Sequence, residues 1–417
     1  MKRARIATYL ANTLDHFDTS LYGFLVPILA PLFFPKNDPT IAIIQGYGIV
    51  IIGLLTRPLG AWYFSKKAQS IGAHKALVIT IQGITLTTFC FVFLKGYDRW
   101  GIYGALALAG LRGFQSFFGA GETSIAGLYI LEGTNSDQQH PIIAMYLSSQ
   151  MAGIFFASLV ASLIFYSEYP LLYWKWPFYG SLITGASAWW LRKQKLPSLR
   201  GAVETRQSSS IDSTHWIATP ALQARKDGVW NYRDILRIAA VSGFSYVLYS
   251  ASFLFFNSFA NLLTLTPMTD MMASNTALMV FDIALLAIFG AAMRKANCKF
   301  LLKTIIILAV ILMPLLFMWL PYLEFFGVCT SRVIMVTLGV AFCIPLHRWY
   351  WQEFPPNNRY KTTALGYAIG SETLGRTFPA VGLGLWYYTN SPIVPGLYIA
   401  LIGVFAFLAL CLPGQRQ

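Results

Sequence analysis

Nine ionisable residues stand inside long apolar runs of this chain: Asp15, Asp18, Arg57, Arg112, Glu122, Asp282, Arg332, Glu372 and Arg376. A leucine would serve each run as well, and a charge at a bilayer centre costs roughly 2.5–3.5 kcal/mol on insertion scales. Each of these groups therefore needs a partner or a task. In one run Asn12, Asp15, Asp18, Thr19 and Tyr22 fall at i, i+3, i+6, i+7 and i+10, a single helical stripe. In another, Arg112, Gln115, Gly119 and Glu122 step by three, four and three, again along one face. Two such stripes predict a shared wet cavity, where an arginine attracts a carboxylate and an acid exchanges protons. The competing reading is interhelical hydrogen bonding alone; the presence of full charges favours the cavity.

Depth narrows the pairings. Arg112 lies roughly 18 Å from the outer end of its run at 1.5 Å per residue, and Asp18 a similar distance from the inner end of its own. Those two side chains are expected to meet. Glu122 is roughly 15 Å further along the axis and cannot reach Arg112. Glu372 and Arg376, at i and i+4, either neutralise each other or face the cavity. Asp282 has no evident partner and is a functional candidate on its own.

Other chemistries find little support. Cys90, Cys298, Cys329, Cys343 and Cys411 are scattered without CxxC or Cys/His spacing, so neither a zinc site nor a disulfide framework is expected. Of the five histidines only His16 and His347 approach apolar runs, both toward the ends, which argues against haem. No cofactor and no metal is expected.

The elements that must position these groups follow from composition. The chain has 417 residues, 56% hydrophobic and only 12% charged, about half the charge that a soluble domain uses to cover its surface. An all-α membrane protein is expected. Apolar runs of about 20 residues are placed near 6–34, 40–64, 75–94, 100–131, 141–167 and 175–191, then near 234–263, 271–293, 299–320, 325–351, 360–388 and 393–413. The first run follows Met1-Lys2-Arg3-Ala4-Arg5, but Asp15, His16 and Asp18 interrupt it and no small-residue cleavage site follows. It is read as a retained spanning helix.

The long polar stretch 192–233 holds Arg192, Lys193, Lys195, Arg200, Arg206, Arg225, Lys226 and Arg233. It is read as a linker between an N-terminal six-helix bundle, 1–191, and a C-terminal one, 234–417. Basic residues gather on the side of the two termini and the linker, whereas the opposite loops hold only Lys36, Lys95, Arg99 and Lys175. This asymmetry predicts cytoplasmic termini and accounts for the net charge of +14 as a topology signal rather than a nucleic-acid footprint. Two internal echoes suggest duplication: Lys66-Lys67…Lys75 against Arg294-Lys295…Lys299, and Arg112…Glu132 against Arg332…Glu353, both offset by about 220–230 residues.

The same residues carry a family likeness. Asn12-Thr13-Leu14-Asp15-His16-Phe17-Asp18, Phe33-Phe34-Pro35…Asp38-Pro39, Arg57-Pro58-Leu59-Gly60, Arg112-x-x-Gln115-x-Phe117 with Gly121-Glu122, Glu353-Phe354-Pro355…Arg359 and Gly366-Tyr367-x-x-Gly370 occur in order. Together they resemble the metabolite:proton symporters of the major facilitator superfamily, the group of proline/betaine and 2-oxoglutarate permeases. The resemblance implies twelve transmembrane helices in two pseudo-symmetric bundles, in a monomer of a bacterial-type inner membrane. It implies alternating access, with proton-coupled uptake of a small carboxylate or zwitterion. Arg112, Gln115, Tyr22, Tyr249 and Tyr367 are then expected to bind substrate. Asp15, Asp18 and Glu122 are expected to couple protons, and Arg57, Glu132, Glu353 and Arg359 to gate. The chain departs from the family between helices 2 and 3: Gln69-Ser70-Ile71-Gly72-Ala73-His74-Lys75 lacks the family's Asp and both its Arg. Lys66, Lys67 and Lys75 must then stand in as partners for Glu132 and Glu353. Rival readings are a uniporter or exchanger on the same scaffold, without dependence on a pH gradient, and a membrane sensor without flux.

Overall fold

The computed structural model describes residues 2–35, 38–71, 73–131, 136–193, 232–292, 297–354 and 356–412. Among them the structure is helical, without strands, and the long rods number twelve. In the first half α1 is Lys2–Phe33, α3 is Ala73–Cys90, α4 is Ile102–Leu131, α5 is Ser136–Tyr166 and α6 is Trp176–Lys193. Its α2 runs Pro39–Gly48, through a 3-10 turn Ile49–Ile52, into Gly53–Ile71. In the second half α8 is Met268–Ala292, α9 is Cys298–Trp319, α10 is Phe325–Glu353 and α12 is Ile393–Cys411. Two rods are interrupted by π turns: α7, Tyr232–Ser250 with Ala251–Phe255 and Phe256–Thr264, and α11, Pro356–Gly370 with Ser371–Arg376 and Phe378–Thr389. All twelve fall on the expected runs.

Among the described residues eight helices are long and apolar enough, by length and composition, to cross a membrane. Their backbone polar groups are satisfied within the helix, as lipid demands. Large apolar side chains such as Leu55, Tyr103, Leu236 and Phe326 face outward. This is a multi-pass membrane protein.

The packing repeats with a step of six helices. In the first half α1 packs on α5 and α6, α3 on α4 and α6, and α2 on α4. In the second, α7 packs on α11 and α12, α9 on α10 and α12, and α8 on α10. Matched glycines set two of these contacts. A Cβ on Gly153 of α5 would stand 2.1 Å from the Thr13 carbonyl oxygen of α1. One on Gly370 of α11 would stand 2.2 Å from that of Ala239 in α7. Only a residue without a side chain lets the backbones approach so closely. The halves meet where α5 packs on α8 and α2 on α11, two seams that the repeat exchanges. The stretch expected to link the halves, 192–233, lies mostly outside the described residues.

Near the end of the bundle opposite the basic residues, called here the far end, both seams are stitched by hydrogen bonds. The Tyr387 hydroxyl of α11 donates to Asp38 Oδ2 at 2.7 Å. Tyr47 of α2 donates to the Leu254 carbonyl at 3.2 Å and lies 3.1 Å from Ser258 Oγ, both on α7. Ser158 of α5 meets Thr276 Oγ1 at 2.9 Å and accepts from Asn275 Nδ2 at 2.9 Å, both on α8.

Candidate functional site

At mid-depth the halves are joined by charge. Glu372 Oε1, on the π turn of α11, receives Arg57 Nη1 of α2 at 2.5 Å and lies 2.9 Å from Arg376 Nε, one turn along. Glu372 itself is buried, whereas Arg376 keeps 26% of its side-chain exposure. A π turn carries an extra residue per turn and re-aims side chains, which is why such turns recur at functional sites. Gly53 makes room on the other side: a Cβ there would stand 2.9 Å from Glu372 Oε2. The expected mutual neutralisation of Glu372 and Arg376 is found, and the acid also binds Arg57 of the other half.

Arg112 completes the group. It is buried, stacks on the Tyr22 ring at 4.5 Å and donates to the Thr19 carbonyl at 3.3 Å and to Gln115 Oε1. Gln115 in turn donates to the Asp18 carbonyl at 3.2 Å and to Thr88 Oγ1 at 2.8 Å. Arg112 meets α1 at the Thr19 carbonyl oxygen, next in the chain to the Asp18 it was expected to face. Arg57 and Arg376 both lie within electrostatic reach of Arg112, and the Nε–H donors of Arg57 and Arg112 make no hydrogen bond.

The helix 1 stripe divides along its length. Asn12 donates to Ser149 Oγ of α5 at 2.8 Å, and Thr13 to the Ser149 carbonyl at 2.9 Å, so this end binds helix to helix. Asp15 is buried with the His16 ring 3.7 Å away, and His16 lies within electrostatic reach of Arg57 and Arg376. Asp18 is buried too. The Tyr22 hydroxyl donates to the Gly46 carbonyl at 2.7 Å, which fixes the ring over Arg112.

In the second half, Tyr246 and Tyr367 touch hydroxyl to hydroxyl at 2.9 Å, with Tyr246 in electrostatic reach of Arg57 and Arg376. Tyr249 stacks on Phe253 at 6.0 Å between ring centres. Arg332, the counterpart of Arg112, is also buried, and it donates to the Ser252 carbonyl in the π turn of α7 at 3.2 Å. It also holds Asn275, which reaches across the seam to Ser158. Arg332 is thus a positioning group for the seam.

Glu353 lies at the basic end and ties α10 to its own half. It accepts from Arg237 of α7 at 2.8 Å and from Lys299 of α9 at 2.9 Å, while Arg237 also donates to the Leu412 carbonyl beyond α12. Burial pushes the Glu353 carboxyl up, but those two hydrogen bonds outweigh it and hold it below the usual range. Arg237 escaped the sequence reading, although Asp234 three residues before it was a visible partner. The side chains of Glu122 and Arg359, and the whole of Glu132, lie outside the described residues.

The fold matches solved transporters along its whole length. The xylose transporter XylE from E. coli, in a partially occluded inward-open conformation, superposes with a TM-score of 0.76, covering 100% of this chain and 98% of that one at 14% identity. In sequence, the glycine betaine/proline/ectoine/pipecolic acid transporter OusA of Dickeya dadantii is 28% identical over 243 residues, 57% of this chain and 48% of that protein. The alpha-ketoglutarate permease of Escherichia coli K12 is 26% identical over 187 residues, 44% of this chain and 43% of that protein. The matched stretch thus spans about half the length of these relatives. No protein-family model matches. The fold is that of the major facilitator superfamily. In sequence the chain is similar to metabolite transporters and permeases.

Proposed function

We propose that this protein is a proton-coupled symporter that takes up a small carboxylate-bearing zwitterion of the proline or betaine kind by alternating access. The observation that carries this reading is the convergence of Arg57, Arg112 and Arg376 around Glu372, between the halves and at mid-depth. Guanidinium groups with spare N–H donors in a low-dielectric space attract a carboxylate strongly. Tyr246 and Tyr367 lie within electrostatic reach of Arg376, and Tyr249 within reach of Tyr367, so their rings offer aromatic faces to a cationic end. Asp15 and Asp18 stand beside the arginines as proton carriers: an acid that gains a proton leaves a guanidinium to the substrate. Glu122 retains the same role in this reading, as do Glu132 and Arg359 in gating. The basic end faces the cytoplasm. The names of the sequence relatives support the substrate class.

The test is uptake of labelled proline, glycine betaine and 2-oxoglutarate into proteoliposomes, with and without an acid-outside gradient. Gradient-dependent accumulation of a zwitterion, abolished by an uncoupler and by Arg112→Ala, is expected. Equal flux with and without the gradient would make the protein a facilitator or exchanger. Accumulation of 2-oxoglutarate alone would replace the zwitterion by a dianion.

A further inference from the structure

Asp282 stands at the middle of α8, fully buried, and neither carboxyl oxygen has a hydrogen-bond partner. It differs in this from other acids of the protein. Glu372 has two arginines, Asp234 has Arg237, Glu353 has Arg237 and Lys299, and Asp15 has His16. A carboxyl that binds no neighbour contributes nothing to packing that an isosteric apolar residue would not supply better, and an ionised one alone in a low dielectric is costly. An intramembrane acid without a structural partner points to a transported or coupling cation.

The surroundings say which cation. Facing Asp282 are the Tyr249 phenol from α7, which does not close a hydrogen bond of normal geometry, and the Cys343 thiol from α10. From α5, which packs along α8, no titratable residue arises between Tyr146 and Tyr166. The last segment of α7, Phe256–Thr264, also packs on α8 and has none either. A metal ion needs several oxygen ligands at about 2.0–2.6 Å, and a phenol, a thiol and one carboxyl do not supply them. Among the described residues no group of three His, Cys, Asp or Glu side chains could hold a metal. A proton needs one oxygen only. A path for it is also visible: Tyr249 lies in electrostatic reach of Tyr367, Tyr367 bonds Tyr246 at 2.9 Å, and Tyr246 lies beside Arg57 and Arg376. Phenol hydroxyls both donate and accept, so this line joins Asp282 to the charged centre.

We infer that Asp282 is a proton-binding site of the transport cycle, located in the second half and joined to the central ion pairs by Tyr249, Tyr367 and Tyr246. The carboxylate takes a proton on one oxygen while the site communicates with one side of the membrane. It returns that proton to water on the other side, with no other bond made or broken. This inference rests on the symporter reading above.

The test measures the proton:substrate ratio from reversal potentials in proteoliposomes, for the wild type and for Asp282→Asn, which keeps shape and volume. The ratio is expected to fall by one while substrate counterflow, which needs no net proton movement, persists. An unchanged ratio in Asp282→Asn overturns the inference and leaves the symporter reading intact. A wild-type ratio of zero overturns the symporter reading instead. Should Asp282→Asn reach the membrane inactive in both modes, Tyr249→Phe decides. Loss of the facing phenol is expected to move the pH midpoint of counterflow by about one unit, and an unmoved midpoint overturns the assignment.

Discussion

Glu372 is held from both halves at once, by Arg57 across the seam and by Arg376 one turn along its own helix. Removing one member of a buried pair costs about 3–5 kcal/mol where nothing relaxes. Here the loss falls on the joined arrangement of the halves rather than on either bundle. Arg57→Gln is therefore expected to cut initial uptake by about tenfold or more, an effect of at least about 1.4 kcal/mol, while the melting temperature in detergent barely moves. Uptake at the wild-type rate beside a normal melting curve would remove the pair from the mechanism. At this scale the sequence was legible in depth but not in direction. Axial rise is fixed by the backbone, so Arg112 was placed correctly against the Asp18–Thr19 turn. Which atom a long guanidinium reaches depends on the rotation of two helices about their axes and on competitors such as Gln115, and spacing within one helix encodes neither. The same limit hid the Arg57–Glu372 pair, whose members stand 315 positions apart.

Helices were the most legible elements, because lipid requires about 20 apolar residues per crossing and each run declares itself. Their interruptions were not: the π turns at Ala251–Phe255 and Ser371–Arg376 lie in ordinary helix-compatible sequence and are fixed by what the turns touch. The duplication was readable from basic clusters and from Arg112 and Arg332, and the two arginines do occupy equivalent places against the first helix of each half. The tightest contacts follow the glycines. Because a Cβ on Gly370 would meet a main-chain oxygen of α7, which cannot swing aside, Gly370→Ala must part α7 from α11. Overpacking of this kind costs typically about 1–3 kcal/mol. A fall of several degrees in melting temperature is expected by differential scanning fluorimetry, and the matched Gly153→Ala should behave alike. An unchanged temperature in both would mean that the rods slide freely at these crossings.

At the scale of the whole molecule, the far-end seam is the part that must open if the central site is to be filled from that side. One of its bonds responds to pH. The Tyr387 hydroxyl, followed by the Ile41 and Thr40 amides, holds the half-buried Asp38 carboxyl below its usual range against a smaller opposing effect of burial. The amide bonds belong to the helix cap and persist when the halves part, so only the Tyr387 share belongs to the seam. A depressed carboxyl contributes above its ordinary value, and the contribution disappears as pH falls through the depressed one. Acid on that face therefore favours opening. Spin labels at Tyr103→Cys and Tyr322→Cys should separate as pH falls below the ordinary carboxyl range, and Tyr387→Phe should keep them apart at every pH. A separation that ignores both acid and Tyr387→Phe would show that this bond follows closure rather than supporting it.

The other crossings of that seam join neutral groups: Tyr47 with Leu254 and Ser258, and Ser158 with Asn275 and Thr276. Neutral hydrogen bonds contribute about 0.5–1.5 kcal/mol each, so these four are worth roughly 2–6 kcal/mol together. That corresponds to an open population between about one in thirty and about one in twenty thousand. Binding a small molecule at micromolar affinity releases about 8 kcal/mol, enough to span the interval even if only part of it is spent on rearrangement. Hydroxyls and amides also resist screening by salt, which weakens exposed ion pairs. A clasp of this strength opens by thermal fluctuation on the microsecond-to-millisecond scale of domain motion, fast enough to be undone and remade at every turnover.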